Sequence, residues 1–268
     1  MTNRELILRP AVLFAPANRP EIMVILDLED GAGSIDRNQA YANIRNAGLD
    51  PTTTFVRIVG PEDPHHAADL AFVKTTEYYN VIVPKIGAAL PEGLDGLNVV
   101  PIIETPLAVI NIASIAADPH VVGLYWGADD LTIALGGLYS RRRIDEPQPS
   151  SYRAPIAYAR VQTLLHAAAN GKWALDAVYQ DFKDLDGLYT EALDSARMGF
   201  AAYPCIHPNQ VDVVRRAFAP SAEQLEWAQR IAEETKKHPG AFQLDGEMVD
   251  TPLIALAHRL LQRHAAVD

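Results

Sequence analysis

Apolar segments alternate with helical patterns along this 268-residue chain, and that alternation limits its fold more than any other feature. Most of the segments are continuous runs rich in Val, Ile and Leu, which is typical of strands buried on both faces of a parallel sheet. Eight strands with helices between them predict a (β/α)₈ barrel, with a doubly wound sheet as the alternative. The predicted strands are Ala11–Ala17, Met23–Asp30, Thr54–Gly60, Asn80–Ile86, Asn98–Thr105, Val121–Asp130, Lys172–Asp181 and Gly199–His207.

Apolar residues at helical spacing separate most of these strands. Only Asn18–Ile22 lies between the first two strands, whereas a parallel crossover needs about a dozen residues or more. The sequence therefore predicts a TIM barrel over residues 1–219 with its first helix missing or shortened, and a C-terminal helical extension or lid over residues 220–268. The predicted helices are Asp36–Ala47, Pro64–Tyr79, Thr105–Ala117, Ala154–Asn170, Asp184–Met198, a helical region over Asn209–Lys237, and Thr251–Ala265.

Charge and cysteine content limit the partners of the chain. The formal net charge of −11 argues against nucleic acid or an anionic membrane as the main partner. Cys205 is the only cysteine, so an intramolecular disulfide is impossible and a reducing cytoplasm is the simplest setting. No apolar run approaches membrane-spanning length. We therefore expect a soluble cytoplasmic globular protein, and an anionic small substrate would need a local cluster of Arg or Lys.

Several predicted strands end in charged side chains, and the active site of a barrel lies at that rim. Glu104 and Asp130 end neighbouring strands, so they could hold one cation together. Their oxygen atoms favour Mg²⁺, and no cluster of Cys or His at zinc-binding spacing occurs in the sequence. The rim residues are Asp27, Glu29, Asp30, Arg57, Lys85, Glu104, Asp129, Asp130, Asp176 and His207.

Some of these residues also have structural interpretations. Asp129 could cap the following helix, and Lys85 could form a structural ion pair rather than act as a Schiff-base nucleophile. Asp176 and His207 could be hydrogen-bonding groups behind the site. No G-x-S-x-G, P-loop or G-x-G-x-x-G motif is present. Spacing and composition alone thus support a metal-assisted enzyme on a barrel.

The polar segment Tyr139–Tyr152 predicts a mobile loop over the mouth of the barrel. Its basic run, Arg141–Arg143, is by default a solvated group of charges. A basic loop beside the rim could also hold phosphates, and Arg142 is the candidate for that contact.

Eight motifs occur in order across nearly the whole chain: LFAPANRP (Leu13–Pro20), ILDLEDG (Ile25–Gly31), VRI (Val56–Ile58), VPK (Val83–Lys85), IET (Ile103–Thr105), GADDL (Gly127–Leu131), CIHPNQ (Cys205–Gln210) and GEMVDTP (Gly246–Pro252). With them the chain resembles the HpcH/HpaI aldolase–citrate lyase β-subunit superfamily, in its CitE-like branch. The resemblance implies a TIM barrel whose first helix follows the FxPxxRP segment, and most of that helix is absent here. Family members commonly have Glu at the position of Asp129.

The resemblance also implies roles for individual residues. It implies Mg²⁺ held by Glu104 and Asp130, with a substrate oxygen completing the shell. It assigns Arg57 to the substrate, where it would stabilise an enolate, and Glu29 to the polar network around the metal. Asp250 matches an aspartate that closes over the active site, often that of a neighbouring subunit, and is the candidate acid or base. The candidate catalytic residues are therefore Arg57, Asp250 and Glu29, and the candidate substrate-binding residues are Arg57, Glu104, Asp130, Lys85 and Arg142.

The activity implied by the resemblance is a Mg²⁺-dependent carbon–carbon lyase. Relatives cleave or form 3-hydroxyacyl thioesters with citryl, malyl, citramalyl or hydroxymethylglutaryl groups, carried on CoA or an acyl carrier protein, and are usually trimers or hexamers. The products would be a keto acid and an acyl thioester. Four alternatives remain: a malyl-CoA-type thioesterase, a malate-synthase-like condensation, the β subunit of a citrate lyase that uses an acyl-carrier-protein thioester, and a non-catalytic interaction protein.

Overall fold

Eight parallel strands form one sheet in a computed structural model that describes residues 11–14, 23–33, 35–238 and 240–267. Their order in the sheet is β7-β6-β5-β4-β3-β2-β1-β8. The strands are β1 Ala11–Phe14, β2 Met23–Asp27, β3 Thr54–Arg57, β4 Asn80–Val83, β5 Asn98–Ile103, β6 Gly123–Trp126, β7 Trp173–Leu175 and β8 Tyr203–Cys205.

The sheet curls into a nearly closed barrel. β1 pairs in parallel with β2 on one side and with β8 on the other. The two edge strands meet through one parallel bridge between Leu175 and Ala202, and the Ala201 N–H donates to the Ala174 carbonyl at 2.9 Å. The predicted barrel is confirmed, and the doubly wound alternative is wrong because β7 and β8 are brought together.

Eight residues, 15–22, connect β1 to β2. They lie outside the described residues, and with them the predicted short connection Asn18–Ile22 and most of the LFAPANRP motif. The parallel pairing of Val12 with Met23 confirms that the first predicted segment is a strand of the barrel.

Helices cover the outside of the barrel, and several begin at the polar caps that the sequence offers. Asp36 and Asp184 accept hydrogen bonds from the first turns of α1 and α7, and Gly199 ends α7 at a φ of 111°. The helices are α1 Arg37–Arg45, α2 His66–Val73, α3 Pro106–Ile110, α4 Ile112–Ala117, α5 Ala128–Ala134, α6 Ala154–Ala169, α7 Leu185–Met198, α8 Pro208–Phe218, α9 Ala222–Thr235 and α10 Thr251–Val267. None of the helices in the described ranges is long and apolar enough to cross a membrane.

Several predicted boundaries were wrong. The predicted helix Thr105–Ala117 is two helices, α3 and α4, that meet at Asn111. The predicted strand Val121–Asp130 stops at Trp126, and its last residues form the first turn of α5. An antiparallel hairpin of β9 (Phe242–Leu244) and β10 (Glu247–Val249) was not predicted.

The side chains of each strand alternate between two apolar cores. Ile25, Phe55, Ile102 and Tyr125 belong to the cluster that fills the barrel interior. Their neighbours along the strands, such as Trp126, pack against the surrounding helices. A residue two positions after an interior one therefore points into the mouth of the barrel, which is the direction of Asp27, Arg57, Glu104 and Gly127.

The C-terminal elements have a core of their own, formed by apolar residues of α9, the hairpin and α10, including Ile231, Phe242 and Leu260. Arg263 of α10 joins this unit to the barrel, because its guanidinium donates to the carbonyls of Ala196 at 3.2 Å and Phe200 at 3.4 Å. The division at residues 219 and 220 stays a prediction.

Candidate active site

A cavity of about 810 Å³ opens at the carboxyl ends of the strands, and most of the predicted rim residues line it. This placement follows from the alternation of side chains along each strand, because a residue two positions after an interior side chain points into the mouth of the barrel. Its polar lining consists of Asp27, Asp30, Asn43, Arg57, Glu104, Tyr125, Asp129, Asp130 and Gln180, and apolar residues such as Ile35 and Ile44 cover another wall.

The Arg57 guanidinium is held by two carboxylates of the preceding strand and loop. Its Nε and Nη2 atoms donate to the two oxygens of Asp27 at 2.8 and 2.5 Å, and Nη1 lies 2.8 Å from Oε2 of Glu29. Asp27 is fixed in turn by the N–H groups of Glu29 and Gly31. Burial lowers the pKa of the guanidinium. The hydrogen bonds and charge of Asp27, and then the charge of Glu29, raise the pKa by more than burial lowers it, so the pKa lies above its ordinary value. Arg57 is therefore a permanent and rigidly oriented cation.

Lys85 connects Glu29 to Glu104. Its ammonium lies 2.7 Å from Oε1 of Glu29, and its backbone N–H donates to Oε1 of Glu104 at 2.7 Å. The backbone of Lys85 has a φ of 52°, a left-handed conformation that is unfavourable for a residue with a side chain. Burial raises the pKa of Glu29, although the charges of Arg57 and Lys85 oppose that shift. Lys85 thus forms the structural ion pair that the sequence offered as one interpretation.

Glu104 is a buried carboxylate with 5% exposure, at the end of β5. Burial, and then the negative charge of Asp130, raise its pKa to about 8, and the hydrogen bond from Lys85 opposes this shift. Gly127 passes so close that an added Cβ would lie 2.5 Å from Oε2 of Glu104. The carboxylate is therefore enclosed between Lys85 and Gly127, on the wall that it shares with Asp130.

Asp129 and Asp130 lie in the first turn of α5 rather than on a strand. The N-cap residue of α5 is Gly127, so the interpretation of Asp129 as an N-cap is wrong. The two oxygens of Asp129 accept hydrogen bonds from the Ser140 hydroxyl at 2.7 Å and the Gln180 side-chain amide at 2.8 Å. The neighbouring Asp130 is exposed to the cavity.

The donor set fits Mg²⁺, although within the described ranges no three residues among His, Cys, Asp and Glu come together as a metal cluster. Magnesium is commonly bound through one or two carboxylates, with water and substrate oxygens completing its coordination. The negative charge of Asp130 contributes to the raised pKa of Glu104, and a cation held by both carboxylates would offset that repulsion. These two residues would hold the ion.

Several predicted residues do not line the cavity. Glu29 and Lys85 contact residues that do, whereas Asp176, His207 and Asp250 lie elsewhere. Asp176 points outward and accepts hydrogen bonds from the Trp126 indole at 2.8 Å and from the Arg160 guanidinium. His207 is the N-cap of α8 and stacks on Phe182. Asp250 lies between β10 and α10 and is not among the lining residues. Its role in a neighbouring subunit stays a prediction.

The basic run of the loop also differs from its prediction. Arg141 is largely buried against Glu191, so it is neither a solvated charge nor a phosphate ligand. Arg142 pairs through its backbone with Ser151, and its side chain does not line the cavity. An antiparallel bridge between Arg141 and Tyr152 ties the two ends of the loop together. The structure thus supplies no contact for the proposed substrate role of Arg142.

The sequence did not predict the lining residues Asn43 and Tyr125, nor the two residues that donate hydrogen bonds to Asp129. Gln180 follows β7 by a few residues, and Ser140 lies in the loop after α5; both donate to Asp129. Neither belongs to a recognisable motif. The only signal for Gln180 is that it follows a barrel strand at the end where the site lies.

Comparison with known proteins agrees with this geometry. Residues 94–208 match the family model HpcH/HpaI aldolase/citrate lyase. A citrate lyase subunit beta-like protein of Mycobacterium tuberculosis is 40% identical over 264 residues, which cover 95% of each chain. The chain belongs to this family. Mitochondrial citramalyl-CoA lyase of Homo sapiens is 28% identical over 295 residues, covering 93% of this chain and 83% of the human one.

The fold agrees with a solved member of the family. The crystal structure of CitE from Mycobacterium tuberculosis in complex with magnesium, acetoacetate and coenzyme A superimposes with a TM-score of 0.83 at 40% identity. The match covers 97% of this chain and 99% of that one. The predicted membership of the CitE-like branch and the TIM-barrel fold are thereby confirmed.

Proposed function

We propose that this protein is a Mg²⁺-dependent carbon–carbon lyase that cleaves a 3-hydroxyacyl thioester into a keto acid and an acyl thioester. The observation that carries the proposal is that the clamped cation Arg57 lines the same cavity as the two carboxylates Glu104 and Asp130. The magnesium, acetoacetate and coenzyme A in the related CitE structure support the metal and the substrate class. The relation to citramalyl-CoA lyase supports the reaction type.

A base first takes the proton of the β-hydroxyl, and cleavage of the carbon–carbon bond then moves the negative charge from that oxygen, which becomes the ketone oxygen, to the oxygen of the thioester enolate. The site has a group for each oxygen. When bound between Glu104 and Asp130, Mg²⁺ would polarise the oxygen that becomes the ketone, a contribution of several kcal/mol. Arg57 faces the charge on the oxygen of the thioester enolate. Because Asp27 and Glu29 already hold the guanidinium in place, little reorganisation is needed when that charge develops.

The acyl carbon must gain a proton after cleavage, and Asp250 is our candidate for the donor. It lies apart from the cavity of its own chain, so we propose that it serves the site of a neighbouring copy in a trimer or hexamer. The choice between CoA and an acyl carrier protein, and the predicted cytoplasmic location, stay predictions.

A cleavage screen tests the proposal. Malyl-, citramalyl-, citryl- and hydroxymethylglutaryl-CoA are each incubated with the protein in Mg²⁺ or in EDTA, and keto acid and free CoA are measured separately. We expect keto acid without free CoA, in Mg²⁺ only. The variant Glu104→Gln should be inactive, whereas Glu92→Gln, which changes an exposed carboxylate, should not.

The other outcomes separate the alternatives. Free CoA without keto acid would indicate the thioesterase, and condensation of keto acid with acyl-CoA without the reverse reaction would indicate a synthase. Activity restricted to acyl-carrier-protein thioesters would indicate the citrate lyase β subunit. Full activity in EDTA would overturn the metal-dependent mechanism.

A further inference from the structure

Asp129 and Asp130 are adjacent in the chain but are held very differently. Both oxygens of Asp129 accept hydrogen bonds, from Ser140 at 2.7 Å and from Gln180 at 2.8 Å. Asp130 is exposed and lines the cavity with Glu104. The contacts of Asp129 therefore fix the turn of α5 from which Asp130 projects.

A buried arginine, Arg141, contacts one of these donors and the segment that carries the other. Nη1 of Arg141 lies 3.5 Å from Oγ of Ser140, the hydroxyl that donates to Asp129. Its Nη2 donates to the carbonyl of Val178 at 3.0 Å, two residues before Gln180. One guanidinium is thus connected to the loop that carries Ser140 and to the segment after β7 that carries Gln180.

Arg141 is itself rigidly fixed. Its Nε and Nη2 atoms donate to the two oxygens of Glu191 at 2.8 and 2.7 Å. The hydroxyls of Tyr152 and Tyr203 also donate to Glu191, at 2.6 and 2.7 Å. The ion pair of Arg141 and Glu191 is largely buried. Glu191 lies on α7, and the two tyrosines lie at the end of the loop and on β8. Such a network keeps its members in one arrangement.

We propose that Arg141 is a positioning residue for the metal site, acting through Ser140 and Gln180 on Asp129 and so on the direction of Asp130. This inference rests on the proposed function, since it assumes that Asp130 binds the metal. Groups that hydrogen-bond directly to metal ligands commonly change metal affinity by about 10- to 100-fold when they are removed, and we expect an effect near the lower end of that range from Arg141, which acts through intervening residues. It gives a role in the site to a buried ion pair that the proposed reaction does not otherwise use.

Binding of Mn²⁺ to the metal-free protein tests the inference without substrate. Mn²⁺ takes the same oxygen ligands as Mg²⁺, and its free ion is counted by electron paramagnetic resonance. We expect Arg141→Lys to weaken binding about ten-fold or more, because a lysine cannot reach Glu191, Ser140 and Val178 together. The double variant Ser140→Ala/Gln180→Met, which removes both hydrogen bonds to Asp129, should weaken binding by a similar factor.

Arg160→Lys is the matched control. Arg160 is a second buried arginine with a carboxylate partner, Asp176, and it makes no hydrogen bond to Ser140, Gln180 or Asp129 among the contacts of the described residues. It should lower the melting temperature about as much as Arg141→Lys while changing Mn²⁺ affinity less than about two-fold. Equal loss of affinity in both arginine variants would mean general loosening and would overturn the inference.

The remaining outcomes are also decisive. Wild-type affinity in Arg141→Lys and in the double variant would overturn the inference. If Arg141→Lys does not fold, the double variant decides alone, because Gln180 is exposed and Ser140→Ala removes a single oxygen. Binding that survives in Glu104→Gln would instead overturn the proposed metal site. Loss in Glu104→Gln with none in the double variant would overturn only the positioning role.

Discussion

Two arginine–carboxylate clusters lie at the same end of the barrel but face opposite ways. In the inner cluster, Arg57 binds Asp27 and Glu29 and lines the cavity. In the outer cluster, Arg160 of α6 binds Asp176, which follows β7, and both are covered by helices. The chemistry of the two pairs is nearly the same, and only the direction of the carboxylate differs.

Strand alternation sets that direction. Asp27 comes two residues after Ile25, which points into the barrel, so it points inward as well. Asp176 comes directly after the interior residue Leu175, so it points outward. A charged residue at a strand end is therefore a candidate for the site only if it lies an even number of positions after an interior residue of that strand.

The outer cluster lies where the barrel is joined most weakly. One bridge links β7 to β8, whereas three or four residue pairs link most other neighbouring strands. The side chains of Arg160 and Asp176 connect α6 to the strand end at this point, and the Trp126 indole adds a contact from β6. We infer that the inner cluster serves the reaction and the outer cluster serves the fold.

The largest expected effect is on stability, from the outer cluster. Arg160→Ala would leave Asp176, with 0% exposure, without its cation, and breaking such a buried pair costs about 3–5 kcal/mol. Urea denaturation should show this loss in the free energy of unfolding. The double variant Arg160→Leu/Asp176→Leu should recover much of it, because no buried charge remains. A loss below about 1 kcal/mol in Arg160→Ala would mean that the outer cluster does not stabilise the fold.

The next effect is on turnover, from the inner cluster. Arg57→Lys keeps a positive charge beside Asp27 and Glu29 but loses the paired hydrogen bonds that orient it. Loss of one oriented donor to a developing oxyanion costs about 10²–10³-fold in kcat. Steady-state kinetics should show that loss, with Mg²⁺ binding retained and a smaller change in unfolding free energy than in Arg160→Ala. Wild-type kcat in Arg57→Lys would erase the functional difference between the two clusters.

A third effect concerns pH and Glu104, which lies beside the inner cluster. Its pKa is raised to about 8 in the folded protein, so the folded state holds a proton that the unfolded state loses near the ordinary value of 4.5. The unfolding free energy of the metal-free protein should therefore fall as pH rises through this window, by up to about 1.4 kcal/mol per pH unit. Apparent Mg²⁺ affinity should rise over the same window and level off above it, since the ion needs the carboxylate.

Denaturation in EDTA and calorimetric titration with Mg²⁺, each over a range of pH, check both trends. Glu104→Gln has no proton to lose, so it should flatten the stability trend and abolish binding. The outer cluster provides the reference, because Arg160→Lys should keep the wild-type pH dependence. Parallel stability curves for the wild type and Glu104→Gln would contradict the assignment.

Much of the fold could be predicted from local pattern. The eight strands and most helices follow from continuous apolar runs, helical spacing and caps. The hairpin was missed although Asp245–Gly246 is a dipeptide typical of tight hairpin turns, and both residues have positive φ, at 51° and 89°.

Other features depend on partners that are distant in sequence. In the sequence, Arg141 is one of three consecutive basic residues that are typical of an exposed loop. Its burial depends on its hydrogen bonds to Glu191, which lies fifty residues away in the chain. The outward direction of Asp176 was missed because the predicted strand Lys172–Asp181 was far longer than the observed three residues. Asp129 and Asp130 were placed on a strand because the apolar run of β6 continues without a break into α5.

The smallest expected effect comes from Gly127. This residue lies beside Glu104, whereas its chain neighbour Trp126 contacts the outer cluster. Trp126 reaches outward to Asp176, whereas the Cα of Gly127 lies against Glu104. Gly127→Ala should be tolerated by the backbone, which has an ordinary φ of −114°, but the new methyl group would overlap the Glu104 carboxylate. We expect Mg²⁺ affinity to fall about ten-fold while the unfolding free energy changes by less than about 1 kcal/mol.

Calorimetric titration measures the Mg²⁺ affinity, and urea denaturation measures the unfolding free energy. Gly87→Ala, where an added Cβ meets nothing within 4 Å, is the control and should change neither. Loss of stability without loss of affinity in Gly127→Ala would place the strain on the fold instead, and the sharp division between the two faces of β6 would be wrong.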